Sequence, residues 1–418
     1  MNSNTGEAAF QSRGTFTEDA GLSTSPIPLE PYYSEAFFEQ EKEKIFRRAW
    51  LLVAREEELP EPGCFVLKAI HTLDTSIIIT RNPKGKVQGF YNTCSHRGSQ
   101  IVTESEGRRR LFVCPYHKWS YDTDGDLKSA PDEQNFFFNK KDCGLTRVAT
   151  EVWEGFVFVN MAEQPEISLD EYIAPLKEYI SGVNYLGASS PIVVEADLEA
   201  NWKVVVDAFL ESYHIPSIHP KTIAETFSNQ INPHARLLNS TPLGTHQQVS
   251  MFGNSGLKPN PNNRAEQLAA GDTGSVISAA ALKDTEAFLA HPAINPTKSA
   301  DWSMDVNQVF PHVQIDWGPG GFWVHHFWPL SASRTKYEVR FYVTEAQDFK
   351  QRFQQEMYVA RVAEVVLEDL VNVKRTQRGI KNGGKKHIQL QDSEVGIRYS
   401  TSRIIKWVNS DTVREAIK

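Results

Sequence analysis

Two short segments constrain this chain more than any others: Cys94-Ser95-His96 and Cys114-Pro115-Tyr116-His117. Each offers one thiol and one imidazole from a single tight loop. Two such loops can serve one metal centre only if they approach it from opposite sides, so they should cap a β scaffold. The flanking residues have that character. Val87–Tyr91 reads as a strand feeding the first loop and Leu111–Val113 as a strand feeding the second. Gly98 permits a tight turn after the first loop. Asn82–Lys86 is a turn between strands at Ser76–Thr80 and Val87–Tyr91, and Asp124-Gly125 is a hairpin turn.

A Rieske-type [2Fe–2S] centre needs this donor set, with two thiolates on one iron and two imidazoles on the other. Neutral imidazoles leave the cluster less negative, which raises its reduction potential. The alternative is a tetrahedral Cys2His2 zinc site. Zinc sites more often take Cys pairs at C-x2-C spacing and His pairs separately, whereas here each loop mixes the two. The two other cysteines, Cys64 and Cys143, have no His or Cys at ligand spacing and read as small buried hydrophobes.

The 418 residues suffice for two or three domains. A formal net charge of -8 offers no basic surface for nucleic acid. No apolar run reaches the length of a membrane span. The N-terminus, MNSNTGEAAFQSRGTFTEDA, lacks the cationic start and apolar stretch of a secretory signal. It reads as a mobile arm, and a cytoplasmic location is expected.

Along the chain, residues 1–45 are expected to form an arm and a helix packing on the catalytic part, with amphipathic spacing over 32–50. Residues 46–162 read as a small all-β domain, with Trp119–Tyr121 and Phe156–Asn160 as further strands. Residues 163–418 are mixed. Helices are expected at Leu169–Tyr179, from Asn201 to about His214, and over Gln347–Arg375. The last would bury Phe353, Met357, Val362, Val365, Val366 and Leu370. Strands are expected at Ile192–Leu198, Trp317–Leu330 and Tyr337–Val343, with long loops and some helix over 229–300. The fold class is α+β.

Residues 91–121 (YNTCSHRGSQ…LFVCPYHKWSY) resemble the Rieske domain of Rieske-type non-haem iron oxygenases, the aromatic-ring-hydroxylating family. Ser95 stands where that family usually has Pro, at a position that is not a ligand. The resemblance implies an all-β Rieske domain joined to a helix-grip-like catalytic domain, with an antiparallel sheet and flanking helices. It also implies a second centre holding mononuclear Fe(II).

His214 and His219 are the histidines available for that centre. On an unbroken helix they would lie roughly 140° apart, so Pro216 is expected to interrupt the helix and turn both inward. Two His and one carboxylate make a facial triad that leaves iron positions open for O2 and substrate. Glu368-Asp369 supplies the carboxylate. The resemblance selects Asp369, with Gln377 and Gly379 following as in the family. It also implies that Glu211 links a cluster-ligating His to an iron-ligating His of a neighbouring subunit. Most ring dioxygenases have Asp there, and Glu is more familiar in relatives acting on quaternary amines. Asp207 stands where many relatives have Asn, and it reads either as catalytic or as an exposed, N-cap-like acid. Tyr213 reads as an aromatic near the iron or in the core.

Phe209, Leu210, Ile215, Phe310, Ile315, Phe322 and Phe327, with Trp323 and Trp328, are the pocket candidates. No Arg is assigned to a substrate carboxylate. The glycines of residues 83–85 and 317–321 lack the strand–GxGxxG–helix setting of a nucleotide site and read as turns. The resemblance therefore implies electrons drawn from NAD(P)H through a separate reductase, with or without a ferredoxin. It implies a homotrimer, or a hexamer with a small beta subunit. The expected activity is mono- or dihydroxylation of an aromatic compound. The alternative is hydroxylation or N-demethylation of a quaternary ammonium compound. A Rieske protein that only carries electrons would leave the His214, His219 and Asp369 set without a purpose.

Overall fold

The computed structural model describes residues 15–183, 191–258, 262, 285–318, 321–343 and 346–418. Its contacts divide into two units. One holds Gln40–Ile173 and Ser410–Glu415, and the other holds the residues up to Glu39, Ala174–Asn409 and Ala416–Lys418. The first unit thus extends beyond 46–162 on both sides. It also takes back a short C-terminal piece, where Glu166 accepts the backbone N–H of Val413 at 2.9 Å.

The first unit is built on ten strands: β1 Leu51–Arg55, β2 Cys64–Ile70, β3 Thr75–Arg81, β4 Val87–Tyr91, β5 Glu106–Arg108, β6 Leu111–Val113, β7 Ser120–Asp122, β8 Leu127–Ser129, β9 Arg147–Trp153 and β10 Phe156–Asn160. They form a seven-stranded sheet in the order β1-β10-β9-β4-β3-β2-β5 and a three-stranded sheet β6-β7-β8. The β3–β4 hairpin shows how local sequence sets register. Asn82 Oδ1 accepts the N–H groups of Lys84 and Lys86 at 3.0 and 2.8 Å, and Gly85 takes φ +81°. That turn pairs Arg81 with Val87 and Ile77 with Tyr91. Phe65, Phe90, Phe112, Trp119 and Tyr121 pack in one core that also buries Cys94 and Cys114. Cys64 and Cys143 are half-buried free thiols, less enclosed than expected.

The second unit contains a seven-stranded antiparallel sheet. Its strands are β11 Ile192–Leu198, β12 Asn239–Leu243, β13 His246–Phe252, β14 Trp302–Val309, β15 Val313–Gly318, β16 Gly321–Ser331 and β17 Arg334–Tyr342, in the order β11-β17-β16-β15-β14-β13-β12. Four helices matter for the site: α1 Trp202–Asp207, α2 Ile215–Ile218, α3 Phe349–Lys381 and α4 Val395–Asn409.

Several expectations are corrected here. The strands β12, β13 and β14 fall in or beside the stretch read as loops. Of these, β13 and β14 bury polar rather than alternating apolar side chains, and β12 is buried only at Leu243. Gln247 Nε2 donates to Gln308 Oε1 at 2.6 Å, Gln248 Nε2 to Asn307 Oδ1 at 2.9 Å, and Ser250 Oγ to Asp305 Oδ1 at 2.6 Å. Satisfied in this way, buried polar residues are tolerated in a sheet, and the sequence pattern of a strand is lost. Elsewhere in that stretch a helix covers Thr285–Ala290, while 259–261 and 263–284 lie outside the described residues, as do Pro319 and Gly320 of the 317–321 turn.

The helix expected from Asn201 to His214 ends at Asp207. Asn201 is its N-cap, accepting the N–H of Lys203 at 3.0 Å. Gly396 at the start of α4 comes so close that a Cβ there would lie 2.5 Å from the Leu210 carbonyl oxygen. The segment 32–50 is an α-helix over Glu35–Glu41 continued by a π turn over Lys42–Phe46. Residues 1–14 of the expected mobile arm are outside the described residues. Phe16 and Thr17 are anchored, their N–H groups bound by Asp392 at 3.1 and 2.8 Å.

Helix α3 is capped by Asp348, whose carboxylate accepts the N–H of Gln351 at 2.8 Å. Its buried face is Gln355, Tyr358, Val359, Val366, Asp369, Leu370, Val373 and Gln377. Phe353, Met357, Val362 and Val365 are only half-buried. The face is rotated from the apolar stripe because it carries polar groups with partners. Gln377 accepts the N–H of Asn201 at 2.6 Å and donates to the carbonyl of Tyr32 at 3.1 Å. No described helix is long and apolar enough to cross a membrane.

Candidate functional site

In the first unit the two ligand loops are built alike. The N–H of Cys94 donates to the Ser99 carbonyl at 2.9 Å, and the N–H of Gly98 returns to the Cys94 carbonyl at 2.9 Å. The N–H of Cys114 donates to Trp119 at 2.8 Å, and that of Lys118 returns to Cys114 at 3.1 Å. The fourth residue after each cysteine is left-handed, Gly98 at φ +74° and Lys118 at φ +61°. Gly is at home there, whereas Lys118 adopts it at a cost of roughly 1 kcal/mol.

This construction brings the rings of His96 and His117 to 4.5 Å between centroids. Trp119 stacks on His96 at 4.9 Å and 9°. The Tyr121 hydroxyl lies 3.1 Å from Cys94 Sγ and accepts the Ser95 N–H at 3.0 Å. Burial pushes the Cys94 thiol up; the Tyr121 bond opposes this, and the neighbouring Cys114 adds to it. Burial, His117 and Arg97 hold His96 below its ordinary value, favouring the neutral imidazole that ligates metal. His96 Nδ1 is buried and has no protein partner, as suits a nitrogen meant for iron. Among the described residues, only His214, His219 and Asp369 bring three such donors within 4.8 Å of one another.

In the second unit, His214 and His219 bracket α2. Pro216 sits in the first turn of that helix, where a missing N–H leaves nothing unpaired. It starts the turn instead of breaking a longer helix, contrary to expectation. The N–H groups of Ser217 and Ile218 both reach the His214 carbonyl at 2.9 Å, and that of His219 reaches Ile215 at 3.0 Å. Asp369, on the buried face of α3, places Oδ1 2.9 Å from His219 Nε2 and 3.3 Å from His214 Nε2. Glu368 turns to the other side of His219, with Oε2 2.7 Å from Nδ1, and accepts the Thr222 hydroxyl at 2.6 Å. Asp369 thus stands where a third donor to a metal would be needed, and Glu368 where it can orient the His219 ring.

Glu211 is buried against His214, accepting its backbone N–H at 3.2 Å and contacting Nδ1. Burial works to lower the pKa of His214, but the Asp369 and Glu211 carboxylates outweigh it and raise it to about 10. Burial also works to lower His219, but the Asp369 and Glu368 carboxylates raise it, and Asp369 is depressed by both imidazoles against its burial. Carboxylates that hold imidazolium this firmly also suit a divalent cation replacing the protons.

Asp207 is neither exposed nor an N-cap. It ends α1, and its carboxyl accepts the Tyr32 hydroxyl at 2.8 Å. Burial pushes it up to about 8, with Tyr32 and Lys203 opposing. Tyr213 is half exposed and faces His234, away from the core.

A cavity of about 120 Å³ opens beside the three donors. Phe209, Ile215 and Trp323 line it. Leu210, Phe310, Ile315, Phe322, Phe327 and Trp328 do not, and the strand pleat explains most of these. Asp316 and Gly318 of β15 and Trp323 and His325 of β16 face the cavity, so Ile315 and Phe322 face away. Phe327 lies further along, packed on Tyr337 at 5.5 Å. Phe310 packs on Trp407 at 5.2 Å, Trp328 on His312 at 3.9 Å, and Leu210 against Gly396. The sequence reading missed Asp316, His325, Tyr358 and Arg361. An Asp set between Ile315 and Trp317 was the available signal.

Residues 49–150 match the Rieske [2Fe-2S] domain, and residues 189–410 match the family described as ring hydroxylating alpha subunit (catalytic domain). The chain belongs to the ring-hydroxylating alpha-subunit family. Its cofactors are accordingly a Rieske [2Fe–2S] cluster and non-haem iron. The glycine betaine monooxygenase oxygenase subunit of Pseudomonas aeruginosa is 31% identical over 197 residues, 47% of this chain and 45% of that one. The 2-aminobenzenesulfonate 2,3-dioxygenase subunit alpha of an Alcaligenes species is 36% identical over 199 residues, 46% of this chain and 49% of that one. These matches span about half the length of the curated relatives. Naphthalene 1,2-dioxygenase from a Rhodococcus species bound to indole shares the fold, with a TM-score of 0.74 at 19% identity over 98% of this chain and 100% of that one.

Proposed function

We propose that this alpha subunit is a terminal oxygenase that uses O2 to hydroxylate a small organic compound held in the cavity beside His214, His219 and Asp369. The observation that carries this is the convergence of those three donors, within 4.8 Å of one another, on the wall of an apolar cavity. Iron held by two His and one carboxylate would keep positions open for O2 and substrate, and a Rieske cluster would supply the electrons.

The chain's own residues perform the rest. Glu211 against Nδ1 of His214, and Glu368 against Nδ1 of His219, leave both Nε2 atoms directed at the metal position. Phe227, Val306 and Val366 exclude water from the reacting volume. Cys94, His96, Cys114 and His117 hold the cluster, and Glu211 is the coupling residue. A separate reductase draws on NAD(P)H, with or without a ferredoxin. The assembly is a trimer, or a hexamer with a small beta subunit, working in the cytoplasm.

An aromatic substrate is the first reading, because Phe209, Ile215, Phe227 and Val306 make the wall largely apolar. A methylated ammonium compound is the second, favoured by Glu211 and by the glycine betaine relative. The test is O2 uptake by the purified chain with a reductase and NADH, screened against arenes, aromatic acids and methylated amines. Substrate-dependent uptake with an oxygenated or dealkylated product is expected. Uptake that survives His219→Ala would overturn the reading.

A further inference from the structure

One wall of the cavity carries a carboxylate that the metal site does not use. Asp316 on β15 is 2% exposed. Its Oδ2 lies 3.1 Å from Nε2 of His325, while its Oδ1 is buried with no hydrogen-bond partner. Buried carboxylate oxygens are almost always satisfied, and an exception in a cavity wall points to a ligand that satisfies it.

His325 cannot turn to serve Oδ1 as well. Its Nδ1 is engaged by the Tyr337 hydroxyl at 2.6 Å, and Phe209 packs on its ring at 4.8 Å. Asp316 is therefore held in place by His325 and by the neighbouring Trp323 side chain, and its Oδ1 still lacks a well-formed hydrogen bond. Trp323 and Tyr358 line the cavity beside it, with their rings 6.2 Å apart at 64°. The Tyr358 hydroxyl is also buried without a hydrogen-bond partner. Aromatic faces next to a carboxylate attract cations. Arg361 is the other charged side chain of the wall outside the metal site. It donates to the Thr222 carbonyl at 3.0 Å, which turns it toward the loop after His219. Phe227, Met251, Met304 and Val362 make much of the remaining wall apolar.

We infer that Asp316, framed by Trp323 and Tyr358, is a specificity-determining anchor for a ligand bearing an N–H cation, a protonated amine on an otherwise apolar body. An N–H cation supplies both the charge and the donor that Oδ1 lacks. A quaternary ammonium supplies charge alone, and a hydrocarbon supplies neither. Calling this ligand a substrate rests on the oxygenase reading; the binding preference does not.

The experiment is equilibrium binding to the anaerobic holoenzyme of three compounds of similar shape: benzylammonium, benzyltrimethylammonium and ethylbenzene. Benzylammonium should bind on the order of 100-fold more tightly than ethylbenzene and at least about 10-fold more tightly than the quaternary compound. Asp316→Asn should abolish that ranking, and Asp316→Glu should retain part of it. Equal or tighter binding of ethylbenzene or of the quaternary compound to the unmodified protein overturns the inference, whether or not the variants fold. So does an unchanged ranking in Asp316→Asn. Amine binding with no O2 uptake on any compound would instead overturn the oxygenase reading and support the anchor.

Discussion

Glu211 holds His214 at two points, accepting its backbone N–H at 3.2 Å and contacting its Nδ1. One carboxylate thereby fixes both the backbone and the ring of a proposed iron ligand. Glu211→Gln keeps the shape and removes the charge. It should weaken iron binding by about 10–100-fold and leave the cluster spectrum unchanged. Iron titration of the variant, followed by metal analysis, checks this; unaltered iron affinity would contradict it.

Iron binding should depend on pH with a definite sign. The pKa of His214 is raised from 6.5 to about 10, so in iron-stripped protein its pairing adds stability fully present below pH 6.5 and lost as pH rises through about 10. Asp369 is depressed from 3.8, so its share is present above that value and lost as pH falls below it. Iron must displace the imidazole protons, so its affinity should rise across the window from pH 6.5 to 10. Iron affinity measured at pH 6.5, 7.5 and 8.5 tests this, and a flat or falling profile refutes it.

Asp207 gives the opposite slope. Its pKa is raised from 3.8 to about 8, so the folded state binds the proton more tightly than the unfolded state does. Stability from this residue therefore falls as pH rises from about 4 through 8. Asp207→Asn should raise the Tm at pH 8 more than at pH 5. Melting curves of both proteins at the two pH values decide it, and an equal change at both would count against it.

Tyr121 places its hydroxyl 3.1 Å from Cys94 Sγ. A donor on a cluster sulfur stabilises the reduced, more negative state. Tyr121→Phe should lower the cluster potential by on the order of tens of millivolts with the absorption bands retained. A redox titration measures it; a rise in potential would refute the role.

The two cysteine–histidine loops were legible because their chemistry is local. Four donors, Gly98 and the turn at Asn82–Lys86 lie within about forty residues, and turn chemistry alone sets most of that geometry. His214 and His219 were legible as residues but not as a structure, because Pro216 reads equally as a breaker or a starter of helix. The sheet around the cavity was harder. Gln247, Gln248, Ser250 and Asp305 are buried by pairing across strands, and no single strand shows that pattern. Asp316 and His325 were missed for the same reason. Each is an isolated polar residue until β15 and β16 pair and put both on one face.

The measurement that tests the account most directly is iron, zinc and acid-labile sulfide per chain, taken together with the visible and EPR spectra, for the unmodified protein and for His219→Ala. About three irons and two sulfides per chain are expected. The variant should lose about one iron and keep the Rieske spectrum. Zinc at either site, or an iron count that His219→Ala does not change, would contradict the assignment of two separate centres.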